Sequence, residues 1–388
     1  MEPPRILVIS RNLPPLIGGM ERLSLHLIES LSGDYVCEVI GPTGSVAYLP
    51  QGTMGQECRF HRPAAFLAEA AVRALMLSRA RERPLVILAT SGLTAPIAYA
   101  CARMVNAISA VCVHGLDLVA DNVVYQSVFL PAIRRTDLVV ANSANTRRIA
   151  VSRGVDEKRV TIVHPGVSWP QTLPDGAPFR VRHDLVGKKV ILAVGRFTRR
   201  KGLPEFIDRS FAALARSDPN WVLVIVGDEA SDAIRSEQSV RALLDQAVAR
   251  QGIENQVRMV GFLGDRELGE AYTAADLHVF PLIAVTGDVE GFGMVAAEAA
   301  AHGLPTLAFD EGGVGDAIVE GVTGRLIASG DYESMSEAIR AFLRNDGDNQ
   351  WRRECREAAR QFSWEIYAAR IREAIGDGLR RKLEERKS

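Results

Sequence analysis

The sequence predicts an α/β protein of two doubly wound, Rossmann-like domains that face each other across a cleft. Three observations predict it. Short apolar runs alternate with amphipathic stretches along the whole chain. Most of those runs lack polar alternation, as strands buried on both faces do. The pattern also stops once, at a proline-rich segment, and then restarts. A length of 388 residues suits two domains better than one.

In the first half, RILVIS (5–10), YVCEVI (35–40), LVILA (85–89), SAVCVH (109–114), DLVVA (137–141) and RVTIVH (159–164) read as strands. HPGVSWPQTLPDGAPFR (164–180), with four prolines, reads as the linker. After it, KVILAVG (189–195), WVLVIVG (221–227), VRMVG (257–261), DLHVF (276–280), PTLAF (305–309) and GRLI (324–327) read as strands. Helical patterns fall between them at 203–216, 234–251, 265–274, 293–302 and 332–344, and close the chain at 349–360 and 364–384. The expected division is 1–168 for a first Rossmann-like domain and 169–362 for a second. A terminal helix, 363–388, carries Trp364 and Tyr367 near its start and is expected to pack back on the first domain.

Bulk composition excludes several classes. Apolar residues at 47% and charged residues at 24% describe a globular chain, not a disordered one. A net charge of −1 argues against a nucleic-acid partner. Residues 1–170 carry 17 basic and 13 acidic side chains, net +4, against 29 and 34, net −5, in the rest. That small asymmetry would suit an anionic acceptor or peripheral membrane contact, but a difference of this size is more often chance. Five scattered cysteines without a CxxC pair read as reduced thiols, which together with the absence of a signal-peptide pattern implies a cytoplasmic protein, at most peripheral at the inner face of the membrane. PLVILATSGLTAPIAYACA (84–102) is interrupted by Ser, Thr, Gly and Pro and reads as strand, loop and buried helix rather than a membrane span.

In open α/β sheets ligands bind at the carboxyl ends of strands, so the loops there carry the candidates. After the first strand, Gly18 and Gly19 precede a helix and allow close backbone approach to a phosphate, although a Gly-Gly before a helix is also a common turn. After the strand at 189–195, Arg196 and Lys201, with Arg199 and Arg200 between them, could grip phosphate oxygens or simply be solvated. After the strand at 276–280, the loop PLIAVTGDVEGFG leads into a helix at about Gly293. The backbone N–H groups of Gly293, Met294 and Val295 would be unpaired donors for a diphosphate. Glu298 lies one turn on in an otherwise apolar helix; a carboxylate buried there needs partners, and a ribose diol would supply two.

EGFGMVAAE (290–298) has the E-x7-E pattern. With GRFTRRKG (195–202), PPLIGGMERL (14–23), ANSANTRRI (141–149), VHPGV (163–167), EGGVGDAI (311–318) and FSWEIYA (362–368) in order, the chain resembles the retaining, nucleotide-sugar-dependent glycosyltransferases of family four, glycosyl transferases group 1, which have the GT-B fold. The resemblance implies that Arg196 and Lys201 hold the diphosphate, that Glu298 holds the ribose, and that Glu290, Gly291, Phe292 and the following backbone hold the donor sugar. It further implies that His114 contacts the sugar near the reacting carbon and that Gly18 and Gly19 lie under the phosphates. The GDVEGFG loop looks like that of phosphatidylinositol mannosyltransferases, which favours GDP-mannose over a UDP-sugar as donor and a sugar or lipid-linked acceptor, in glycolipid or cell-surface polysaccharide synthesis. The chain departs from the pattern where the usual Gly-Val-Asp after the linker strand is Gly166-Val167-Ser168.

No cofactor and no metal is implied. The DGD triplet (346–348) reads as a polar turn, and no His/Cys cluster is present. Two rival readings share the architecture or the ligand. A non-hydrolysing nucleotide-sugar epimerase would need acid/base residues that the sequence does not identify. A non-catalytic nucleotide-sugar-binding partner would bind donor without turnover.

Overall fold

A computed structural model describes residues 3–80, 83–229, 239–344 and 349–385. The DGD triplet and the start of the helical pattern at 234 lie outside the described residues. The chain divides into two compact units, Met1–Gly166 with Trp364–Ser388, and Val167–Ser363.

The front unit is a seven-stranded sheet of order β3-β2-β1-β4-β5-β6-β7, every pairing parallel. Its strands are β1 (Arg5–Ile9), β2 (Val36–Pro42), β3 (Met54–Cys58), β4 (Val86–Ala89), β5 (Ile108–Val113), β6 (Leu138–Ala141) and β7 (Val160–Ile162). Successive side chains of a strand point to opposite faces, and both faces here are covered. Leu7, Ile9, Ile87 and Val111 pack with Phe66, Ala70 and Ala74 of the helix Pro63–Ser78. Ile6, Val8, Leu88 and Ala110 pack on the other face with Leu23, Leu27 and Ile28 of the helix Gly19–Ser32 and with Tyr367, Ile371 and Ala374 of the helix Trp364–Glu385. The closing helix thus belongs to the front core. Gly166 admits it, since a Cβ there would lie 2.2 Å from the Trp364 ring.

The rear unit is a six-stranded parallel sheet of order β10-β9-β8-β11-β12-β13. Its strands are β8 (Lys189–Val194), β9 (Trp221–Val226), β10 (Val257–Gly261), β11 (Leu277–Phe280), β12 (Thr306–Phe309) and β13 (Gly324–Ile327). Val167 and Ser363, where the chain enters and leaves this unit, form a bridge, and the Val167 N–H donates to the Phe362 carbonyl at 2.7 Å. The switch in strand order falls between β1 and β4 in front and between β8 and β11 behind, the position at whose carboxyl edge open α/β sheets bind ligands.

One glycine holds the rear switch loops together. Gly202 has φ +63°, and a Cβ there would stand 2.0 Å from the Pro281 carbonyl oxygen in the loop after β11. Gly252 has φ +64° with nothing within 4 Å of its added Cβ. The Gly252→Ala variant is expected to cost about 1 kcal/mol, for backbone conformation alone, and Gly202→Ala on the order of 3 kcal/mol or more. Urea unfolding midpoints of the two variants check this; equal midpoints would remove the steric argument.

Candidate active site

The rear switch point gathers charge. Lys201, only 8% exposed, donates from Nζ to Glu290 Oε2 at 2.7 Å and lies 4.4 Å from the centroid of the Phe280 ring. Arg200 donates to the same Glu290 oxygen at 3.2 Å and to Asp288 at 2.9 and 3.2 Å. The Ile283 N–H donates to the Arg200 carbonyl at 2.9 Å, so the loops after β8 and β11 are tied by backbone as well as by side chains. Behind them, the Gly313 N–H donates to the Glu290 carbonyl at 2.8 Å. Of the four cations between 196 and 201, each has its own fate. Arg199 pairs with Glu205, Arg200 clasps the acidic loop, Lys201 is buried, and Arg196 is exposed without a hydrogen bond or ion pair among the described residues. The Arg196 charge is nonetheless felt at Lys201, which it helps to push down.

Burial lowers the Lys201 ammonium below its usual range, and Glu290 opposes that shift. Burial alone would raise the Glu290 carboxyl, but the Lys201 and Arg200 charges outweigh it and hold it at about 2. A depressed carboxylate contributes stability that is present above its unfolded value of 4.5 and lost as pH falls toward 2. Lys201 stays charged across that window and adds no slope. The wild type is therefore expected to lose on the order of 3 kcal/mol more than Glu290→Gln between pH 5 and pH 2. Urea titrations at several pH values read the difference, and parallel pH profiles for the two proteins would contradict it.

The helix Met294–Ala301 begins at Gly293, whose φ of +92° opens the turn and whose position carries no side-chain cap. The N–H groups of Gly293, Met294 and Val295 have no hydrogen-bond partner among the described residues, and they carry the positive end of the helix dipole. Glu298, 7% exposed, accepts from the Tyr272 hydroxyl at 3.1 Å, while its backbone carbonyl accepts from His302 Nδ1 at 2.8 Å. The Phe292 side chain is buried against Phe362, ring centroids 5.5 Å apart, so it serves the core. His278, fully buried, is pushed by burial and by the Lys201 charge to about 3 and is neutral.

Sequence reasoning singled out Lys201, Glu290, the Gly293 turn and Glu298, and the rear unit carries them on two adjacent strand ends and one helix. It did not foresee that Arg200 pairs with Asp288, and it missed Tyr272 entirely. Tyr272 lies 26 residues before Glu298, on the helix Asp265–Ala274, and no spacing rule links them.

In the front unit, His114 follows β5. Its Nε2 lies 2.8 Å from the Thr90 carbonyl and must donate to it, and its backbone N–H donates to Asp117 at 2.9 Å. Burial raises the Asp117 carboxyl, with the His114 charge acting against it. Gly18 and Gly19 do open a helix, but Glu21 already stands there. A Cβ on Gly18 would meet its Oε2 at 2.3 Å, and Asn12 donates to its Oε1 at 2.8 Å. A carboxylate at this turn repels a phosphate, so the pair is a poorer cradle than the sequence suggests.

Among the described residues no cluster of three His, Cys, Asp or Glu side chains could hold a metal ion, and no helix is long and apolar enough to cross a membrane.

Known proteins resemble both halves. A family model described as glycosyl transferases group 1 matches residues 179–362, and one described as glycosyltransferase family 4 matches residues 17–168. The D-inositol 3-phosphate glycosyltransferase of Nocardia farcinica is 33% identical over 254 residues, 64% of this chain and 54% of that protein. Its namesake in Mycobacterium marinum is 30% identical over 258 residues, 63% and 52%. The chain spans about half the length of these curated relatives. Anabaena HepE, solved in complex with UDP, superimposes with a TM-score of 0.78 at 19% identity, covering 96% of this chain and all of that one. Sucrose-phosphate synthase from Thermosynechococcus elongatus gives 0.75 at 21%, covering 96% and 98%. At those identities the likeness is one of fold, two Rossmann-like units of the GT-B type.

Proposed function

This chain belongs to the family-four, group 1 glycosyl transferases, and from that premise we propose that it moves a sugar from a nucleoside diphosphate donor to an acceptor hydroxyl. The observation that carries the reading is a buried cation, Lys201, at the rear switch point together with the unpaired N–H groups of Gly293, Met294 and Val295. Loss of the nucleoside diphosphate from a sugar leaves negative charge on the departing phosphate. Lys201, Arg196 and the helix N-terminus would stabilise that charge where it develops. Glu298, held by Tyr272, would accept from the ribose hydroxyls, and Glu290 would accept from hydroxyls of the donor sugar.

Finer points belong to the same proposal. Transfer proceeds with retention, from GDP-mannose in preference to a UDP-sugar, onto a sugar or lipid-linked acceptor in glycolipid or cell-surface polysaccharide synthesis. The acceptor binds the front unit, where His114 contacts the sugar near the reacting carbon, and the protein works in the cytoplasm at or near the inner membrane face.

A thermal-shift panel of UDP-, GDP- and ADP-sugars tests the reading. A donor at one hundred times its Kd stabilises by about 2.7 kcal/mol. One donor class is expected to raise the Tm of the wild type but not of Lys201→Ala. A wild type that no nucleotide sugar shifts contradicts the reading, and binding with no turnover toward any acceptor favours a non-catalytic partner.

A further inference from the structure

Glu298 is held at two points, and the two groups that hold it also hold each other. The terminal torsion of a glutamate has a broad minimum, so burial by itself does not aim the carboxylate oxygens. The Tyr272 hydroxyl, on a side chain 1% exposed, donates to Glu298 Oε2 at 3.1 Å. His302 ends the helix Met294–Ala301, and its Nδ1 lies 2.8 Å from the Glu298 backbone carbonyl. The Tyr272 and His302 rings stack, with centroids 5.0 Å apart and 29° between their planes. Carboxylate, phenol, imidazole and carbonyl thus close a circuit that begins and ends on one residue.

Chemistry fixes each link. A backbone carbonyl only accepts, so Nδ1 of His302 must donate to it. Burial pushes the His302 ring below its usual range, against the pull of that carbonyl, so the ring is neutral and Nδ1 carries its one proton. Gly269, on the facing helix Asp265–Ala274, makes room for the imidazole: a Cβ there would stand 3.3 Å from Nε2. The neutral His278 ring meets Tyr272 edge-on, at 6.4 Å and 73°. A buried phenol with two rings against it turns little, and the oxygen it donates to is held with it.

We propose that Tyr272 and His302 are a positioning pair for recognition of the ribose. Tyr272 fixes the rotation of the Glu298 carboxylate, and His302 fixes both the Glu298 backbone and the Tyr272 ring. Neither acts except through Glu298. The inference rests on the reading of Glu298 as the acceptor for a ribose diol.

Calorimetric titration with UDP, GDP and their 2′,3′-dideoxy counterparts tests it in the wild type, Tyr272→Phe and His302→Phe. Each substitution keeps an aromatic ring and removes one donor. The dideoxy nucleotides lack the diol, so unchanged affinity for them reports that a variant is folded. Each variant is expected to bind UDP or GDP about fivefold more weakly while its dideoxy affinity is kept. On a Glu298→Ala background no carboxylate remains to be aimed, and neither substitution is expected to change the ratio of the two affinities. The proposal is overturned if either variant keeps the wild-type ratio, if both nucleotides weaken alike, or if the ratio still changes on the Glu298→Ala background. A wild type that binds the ribonucleotides no more tightly than the dideoxy nucleotides contradicts the ribose reading and this inference with it. A wild type that discriminates, with variants that discriminate as well, overturns this inference alone.

Discussion

Lys201→Met is expected to lower sugar transfer by two to three orders of magnitude while the chain stays folded. The magnitude is that of removing one preorganised charge from a site where an anion develops. Lys201 is suited to that task because it is already desolvated. It is 8% exposed, lies 4.4 Å from the Phe280 ring centroid, and needs no reorganisation of solvent when charge appears beside it. Methionine keeps much of the volume and removes the charge. Breaking a buried ion pair typically costs 3–5 kcal/mol, but Glu290 keeps Arg200 at 3.2 Å, so the loss here is expected near about 3 kcal/mol. Two readouts separate charge from damage. The affinity for UDP and GDP should fall while that for UMP and GMP is kept, since only the diphosphates reach the cation. A variant that transfers at the wild-type rate, or that loses mono- and diphosphate binding alike, would show that Lys201 does not hold the leaving group.

The second large effect concerns Glu298. Its carboxylate is buried in a helix whose other residues are Met294, Val295 and alanines, and one oxygen accepts from Tyr272 at 3.1 Å. Alanine at 298 would remove the carboxylate that the Tyr272 hydroxyl donates to and confuse stability with binding. Glutamine keeps an acceptor for Tyr272 and removes the charge, so it is the informative variant. Hydrogen bonds to a charged group contribute about 1.5–3 kcal/mol, which corresponds to roughly 10- to 150-fold in affinity. Glu298→Gln is expected to weaken UDP or GDP within that range and to leave the 2′,3′-dideoxy nucleotide unchanged. Equal losses for both nucleotides would mean that the carboxylate does not read the ribose.

Much of this was legible in the sequence because both sheets are buried on both faces. Apolar runs such as WVLVIV and VILA have no other use, and the strands appear where those runs stand. The helices Asp265–Ala274 and Tyr332–Arg344 keep the bounds that the periodicity implied. β3 was missed for a physical reason. MGQEC is an edge strand with one buried residue, Cys58, so its pattern carries no apolar run. The helix expected at 203–216 carries a π-helical turn at Ile207–Phe211, which no periodicity reports.

The site was legible by position and not by pairing. Strand order, which the sequence does not state, puts the Lys201 loop beside the Glu290 loop. Nothing in the run Arg199, Arg200, Lys201 tells which cation faces Glu205, which faces Asp288 and which is buried. Those choices are made by the turn at Gly202 and by the contact between Ile283 and the Arg200 carbonyl.

The most direct test of a nucleotide held at the rear switch point is amide hydrogen exchange with and without a saturating nucleotide sugar. The account predicts slowed exchange at Gly293, Met294 and Val295 and in the loop from Arg196 to Gly202. Unchanged exchange at those amides, with protection appearing elsewhere, would contradict it.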